Sequence, residues 1–132
     1  MKDDHSKHPP EKRETYTCRG RLWLEGTEGT FLGYGRIVLL ERIDQFGTIA
    51  QAARSMEMSY KHAWDLVDSM NRQATAPLVS KTSGGKRGGG TKLTERGLEA
   101  IAAYRAMDER FRNFLTDETG RFMAEFERND KP

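Results

Sequence analysis

Between Thr48 and Ala74 the sequence reads as two short helices, each opened by a hydroxyl side chain, with a tight break between them. Thr48 is an N-cap for IAQAARSM, whose Ile49, Ala52, Ala53 and Met56 recur at helical spacing and make a face small enough to pack closely on a neighbour. Glu57-Met58 marks the break. Ser59 then opens YKHAWDLVDSMNRQA, whose Ala63, Leu66, Val67, Met70 and Ala74 gather on one side at about 100° per residue. Two capped helices joined by a few residues are the helix-turn-helix pattern. A chain of 132 residues has room for one ordinary core around it.

The flanking segments extend this pattern. Thr15 to Leu24 alternates, with Tyr16, Cys18, Leu22 and Leu24 on one parity, and predicts a half-buried strand interrupted at Gly20, followed by a glycine-rich turn. GRIVLLERIDQF predicts a helix over 35–46 with Ile37, Leu40 and Ile43 inward and Gly47 as its stop. After Pro77, the runs LVSKT and TKLT enclose SGGKRGGG, a hairpin with a glycine-rich basic loop. Thr94 caps a long helix beginning ERGLEAIAAYRAMDERFRNFL, and Gly120 with the TDETG stretch is its candidate break. Helix, helix-turn-helix, basic hairpin, helix is the order of a winged helix-turn-helix domain: mainly α with a small β component and a long C-terminal helix. The expected organisation is a disordered tail over 1–14, the domain over 15–94 and a helical, dimerising segment over 95–132.

Charge is focused. The chain carries a net charge of +2, but 81–96 holds Lys81, Lys86, Arg87, Lys92 and Arg96 against Glu95, so the remainder is net negative. Mean hydropathy is -0.81, and no apolar run approaches the roughly 20 residues a spanning helix needs. The first residues lack the apolar stretch of a secretory signal. Cys18 stands alone, which leaves no internal disulfide and no multi-cysteine zinc site, and a reducing cytoplasm is the expected compartment. His5 and His8 read as solvated residues of a polar tail rather than metal ligands.

On the helix opened by Ser59, the first turn and the face opposite the apolar stripe suit the major groove of double-stranded DNA. Ser59 and Tyr60 offer donors to phosphate, Lys61 to guanine or phosphate, and His62 completes the first turn. Asp65 and Asp68 are awkward beside phosphate. Asp65 either accepts from a cytosine amine or stays near water. Lys81, Lys86, Arg87 and Lys92 are the expected backbone contacts of the hairpin, whose glycines let the chain approach a surface closely. The loop is no nucleotide-binding P-loop, because Ser80 stands where that pattern needs glycine and Arg87 where it needs Ser or Thr. Trp64, at the edge of the apolar face, is expected in the core. His62 with Asp65 or Asp68 is the nearest approach to a general base, and without a nucleophile to complete it no catalysis is expected.

Tyr104, Met107, Phe111, Phe114 and Leu115 recur at three and four residues along the last helix, a stripe suited to a second subunit. A twofold homodimer sets two recognition helices about one DNA turn apart and so reads a palindrome.

The run from Gly35 to Gly97 also carries a family likeness. GRIVLLERIDQFGTIAQAARSMEMSYKHAWDLVDSMN followed by GGKRGGGTKLTERG resembles the N-terminal DNA-binding domain of the ModE molybdate-responsive regulators, which are related there to LysR-type helix-turn-helix proteins. SYKHAW, MN and GGKRGGG ahead of LT carry the likeness in combination. It implies a transcriptional regulator of the molybdate-responsive type. Family members continue into C-terminal domains that bind molybdate or tungstate, whereas TDETGRFMAEFERNDKP follows Leu115 here, so no cofactor is expected in this chain itself. Two other readings stay open: a dimerisation module that keeps the fold without binding DNA, and a small-oxyanion binder using the loop amides as a nest.

Overall fold

The computed structural model describes residues 15–82 and 90–129. A first hairpin, β1 (Trp23–Gly26) and β2 (Gly29–Gly33), leads into three helices, α1 (Tyr34–Phe46), α2 (Ile49–Ser55) and α3 (Tyr60–Gln73). A second hairpin, β3 (Val79–Lys81) and β4 (Thr91–Leu93), precedes the long α4 (Glu95–Asn129). The protein is thus mainly α, with two separate two-stranded antiparallel hairpins and a long C-terminal helix. Among the described residues, no helix is long and apolar enough to cross a membrane.

Local signals account for most helix ends. Gly47 adopts φ 82°, the left-handed conformation that stops α1, and its N–H donates to the Ile43 carbonyl at 2.8 Å. Thr48 Oγ1 accepts from the Gln51 N–H at 3.1 Å and opens α2. Thr94 Oγ1 accepts from the Gly97 N–H at 3.0 Å and opens α4, while its own O–H lies 2.7 Å from the Pro77 carbonyl.

Two expectations fail. The strand expected over 15–24 begins only at Trp23, and Tyr16, Cys18 and Leu24 are exposed. Alternation alone does not make a strand; pairing does, and the residues that pair are 23–26 with the short, unforeseen β2, across a register shift between Leu24 and Glu25. Nor does α4 break at Gly120. One glycine costs a helix only about 1 kcal/mol, and the good helix formers around it carry the chain through.

The chain divides into two compact units. One is Arg21–Phe111. Its core joins Ile37, Leu40 and Ile43 of α1 to Ala52 and Ala53 of α2, Ala63, Val67 and Met70 of α3, Leu78, Val79 and Leu93 of the second hairpin, and Tyr104 of α4. The Tyr104 hydroxyl, inside that core, donates to the Leu22 carbonyl at 2.8 Å. In the other unit, the described residues 15–20 lie against 112–129: the Cys18 N–H donates to Thr119 Oγ1 at 2.8 Å, and Tyr16 meets Phe122 and Phe126 edge to face.

Polar side chains fasten the hairpins to α3. Asn71 Oδ1 accepts from the Leu78 and Val79 N–H groups at 2.8 and 3.2 Å, and its Nδ2 donates to the Val79 carbonyl at 3.0 Å. Gln73 Nε2 donates to the Thr30 carbonyl at 2.9 Å, and its Oε1 accepts from the Glu28 N–H at 3.1 Å. Arg36 reaches the Phe31 carbonyl and Ser69 Oγ, and its burial holds the guanidinium below its ordinary pKa. Arg105 forks onto both Glu41 oxygens at 2.7 and 3.0 Å, and the hydrogen bonds to Glu41 raise its pKa.

Gly97 explains how closely α4 starts against the hairpin. A Cβ there would stand 2.3 Å from the Leu78 carbonyl oxygen, so only hydrogen fits. Asn71→Ala leaves backbone groups of 78 and 79 without their partners and is expected to lower unfolding free energy by about 2–3 kcal/mol. Chemical denaturation checks this, with a reduced midpoint and an unchanged slope as the outcome.

Candidate nucleic-acid interface

The turn between α2 and α3 is built on backbone hydrogen bonds. The Met58 N–H reaches back to the Ala53 carbonyl at 3.0 Å and the Glu57 N–H to the Arg54 carbonyl at 3.1 Å. Glu57 takes φ 55°, a left-handed residue of the kind usually supplied by glycine after a helix. Ser59 Oγ then accepts from the His62 N–H at 3.0 Å. Its own hydroxyl proton remains available as a donor.

This start presents the first two turns of α3 outward. Tyr60 is 55% exposed, and Lys61, His62 and Asp65 are exposed with it. Lys61 Nζ lies 3.1 Å from Asp65 Oδ2, one turn on, so the carboxylate that seemed awkward beside phosphate is paired with the cation ahead of it. Asp68 is likewise paired, with Arg72, which also binds Glu28 Oε1 at 2.9 Å. Neither acid stands as an isolated negative charge on this face.

Beside α3 runs an open cleft of about 380 Å³, lined by Thr48 of the α2 cap, Tyr60 and Trp64 of α3, and Lys81, Thr82 and Thr91 of the second hairpin. The hairpin register is Val79 with Leu93, Ser80 with Lys92 and Lys81 with Thr91. Directly opposed residues share a face and successive ones alternate, so Lys81 sits on the cleft side with Thr91 and Lys92 on the other side with Ser80. The hairpin base is held by the Thr91 N–H on the Gly47 carbonyl at 2.9 Å and the Gly90 N–H on Thr82 Oγ1 at 2.7 Å.

The sequence-derived site residues therefore separate into groups. Tyr60 and Lys81 come together at one cleft; Ser59 caps α3; Lys61, His62 and Asp65 lie outward on its first turns; Lys92 faces away. Lys86 and Arg87 fall outside the described residues, as does the tail with His5 and His8. Of the α4 stripe, Tyr104 is 1% exposed, a member of its own chain's core, and Leu115 is buried. Met107 and Phe111 are half-buried, and Phe114 is exposed.

Trp64 was expected in the core and is 44% exposed instead. It stands between α3 and the hairpin, near Ile49, Lys81 and Thr91. Its distance from the apolar stripe was the available signal: it lies one residue after buried Ala63 and four after Tyr60, which places it on the Tyr60 side of the helix. Among the described residues no cluster of three or more His, Cys, Asp or Glu side chains could hold a metal ion.

No protein-family model matches the chain. It is 44% identical over 95 residues to the molybdenum transport protein ModE of Azotobacter vinelandii, covering 72% of this chain and 35% of that protein. It is 45% identical over 91 residues to the molybdenum-pterin-binding protein MopB of Rhodobacter capsulatus, covering 69% of this chain and 33% of that one. It is also 44% identical over 83 residues to the DNA-binding transcriptional dual regulator ModE of Escherichia coli strain K12, with 63% and 32% covered. The chain spans about a third of the length of these curated relatives.

Substitutions at two positions test the turn. Ser59→Ala is expected to cost about 1 kcal/mol of stability through loss of the cap, with Ser59→Asp restoring it. Glu57→Gly is expected to stabilise by roughly 0.5–1 kcal/mol, because the left-handed conformation no longer opposes a Cβ. Thermal and urea unfolding of the three variants measure both effects.

Proposed function

We propose that the chain is a ModE-type, sequence-specific DNA-binding module of a transcriptional regulator, with winged helix-turn-helix architecture. In this reading α3 is the recognition helix, the β3–β4 hairpin is the wing, and α4 brings two copies together on a palindromic site. The observation that carries it is the 44% identity to a protein named as a DNA-binding transcriptional dual regulator. The outward first turns of α3, the pairing of Asp65 with Lys61, and Lys81 across the cleft support it. Ser59, Tyr60, Lys61, His62 and Asp65 approach the major groove, while Lys81, Lys86 and Arg87 neutralise phosphates and Lys92, on the opposite face of the hairpin, stays outside the contact. The exposed Phe114 is the part of the α4 stripe best placed to meet a second copy.

The test is titration of the full chain against random-sequence duplex DNA at several salt concentrations, followed by sequencing of the retained fraction. Salt-dependent binding with an enriched palindrome is the expected outcome, and no binding at low salt refutes the reading. Lys81→Ala is expected to weaken binding across all sequences and to flatten the log–log salt slope by about one unit, and Lys86→Ala with Arg87→Ala by about two, since each phosphate contact contributes roughly one. Ser59→Asp, which keeps the cap but adds a negative charge at the helix start, is expected to weaken binding without loss of stability.

A second reading has its own support, in the relatives named as molybdenum-pterin-binding proteins. Under it the chain takes molybdate directly, and its melting temperature rises with molybdate concentration; an unchanged melting temperature at high molybdate rejects it.

A further inference from the structure

The hydrogen-bonding side chains best suited to reading base edges are guanidinium and carboxamide groups, and in α3 these are already engaged within the protein. Asn71 is bound to the backbone of Leu78 and Val79, Arg72 to Glu28 and Asp68, and Gln73 to Thr30, Glu28 and Ser69. Lys61 is paired with Asp65. What α3 offers in quantity on its cleft side is ring surface: Tyr60 and Trp64, four residues apart on one helix face, are 55% and 44% exposed.

Two large rings left half in water beside a cation are poorly explained by stability alone. They line one cleft with Lys81 on its far wall, so a strand whose phosphate meets Lys81 brings its base edges toward the rings. Among the features that base pairs present in the major groove, the 5-methyl group of thymine is the apolar one. The geometry points to Trp64, with Tyr60, as a specificity-determining patch that reads thymine methyl groups in duplex DNA. This rests on the DNA-binding reading above and deepens it: phosphate contacts by the hairpin supply affinity, and apolar contact by the two rings supplies sequence preference. Trp64 acts here by direct contact with the base and takes part in no chemistry.

The decisive experiment changes the DNA by methyl groups alone. The duplex enriched from the random pool is prepared with thymidine and, one position at a time, with deoxyuridine, which keeps every hydrogen-bonding group. Binding to the full chain is followed by anisotropy at fixed salt. The expected result is a loss of about fourfold in affinity at one or two positions per half-site, the size set by burying one methyl group. Trp64→Ala is expected to bind thymidine and deoxyuridine duplexes equally while keeping its salt slope, and Trp64→Phe to recover part of the discrimination. Unchanged circular dichroism and cooperative unfolding of both variants show that the fold persists. A wild-type protein indifferent to every uracil replacement, or a Trp64→Ala variant that still discriminates, overturns the inference while leaving the DNA-binding reading intact. Failure to bind or to enrich any duplex overturns this inference too, and complete absence of salt-dependent binding overturns the DNA-binding reading with it.

Discussion

The side-chain amide of Asn71 is the fastening on which the rest of the candidate site depends. Strands β3 and β4 are three residues each, too short to hold a position by their own ladder. Asn71 supplies what they lack, binding the backbone at Leu78 and Val79 through both its carbonyl and its amide ends. On the α3 side the hairpin, and with it Lys81, is located relative to Tyr60 and Trp64 by this side chain, while the Thr91 N–H on the Gly47 carbonyl and the buried Leu78, Val79 and Leu93 hold it elsewhere.

The three fasteners of α3, Asn71, Arg72 and Gln73, are consecutive, and all lie in its last turn. The two ends of the helix thus have different tasks. The C-terminal end fixes the two hairpins, through Gln73 for the first and Asn71 for the second. The N-terminal end makes one cap hydrogen bond through Ser59 and leaves its outward side chains to solvent or to each other. A helix divided in this way can vary its exposed turns with little consequence for the fold, and it resists change at its base.

What could be read from the chain in advance follows from the range of each interaction. Thr48, Ser59 and Thr94 act on residues three positions away, so their caps were legible from local spacing. The same is true of Gly47 and of the stripe Ala63, Val67 and Met70. Trp64 was misplaced because the hairpin beside it lies far away in sequence, and helical periodicity carries no information about such a neighbour. Strand β2 was missed because GTFLG is short and not alternating, and its existence depends on pairing with β1. Tyr104 looked like part of an intersubunit stripe because spacing along α4 is blind to the Leu22 carbonyl that its hydroxyl reaches.

The hydrogen bond from the Thr91 N–H to the Gly47 carbonyl joins the hairpin to the one residue between the end of α1 and the cap of α2. Gly47, Thr48 and Ile49 are consecutive, so the first helix, the second helix and the near wall of the cleft all meet within one short stretch of chain. The root of the cleft is thus tied to the backbone where α1 ends and α2 begins. A change in the backbone at Gly47 is therefore felt at once by the end of α1, by the cap of α2 and by Thr91, the residue paired with Lys81. Three elements share one anchor point, so position 47 is where a small backbone change has the widest effect on the molecule.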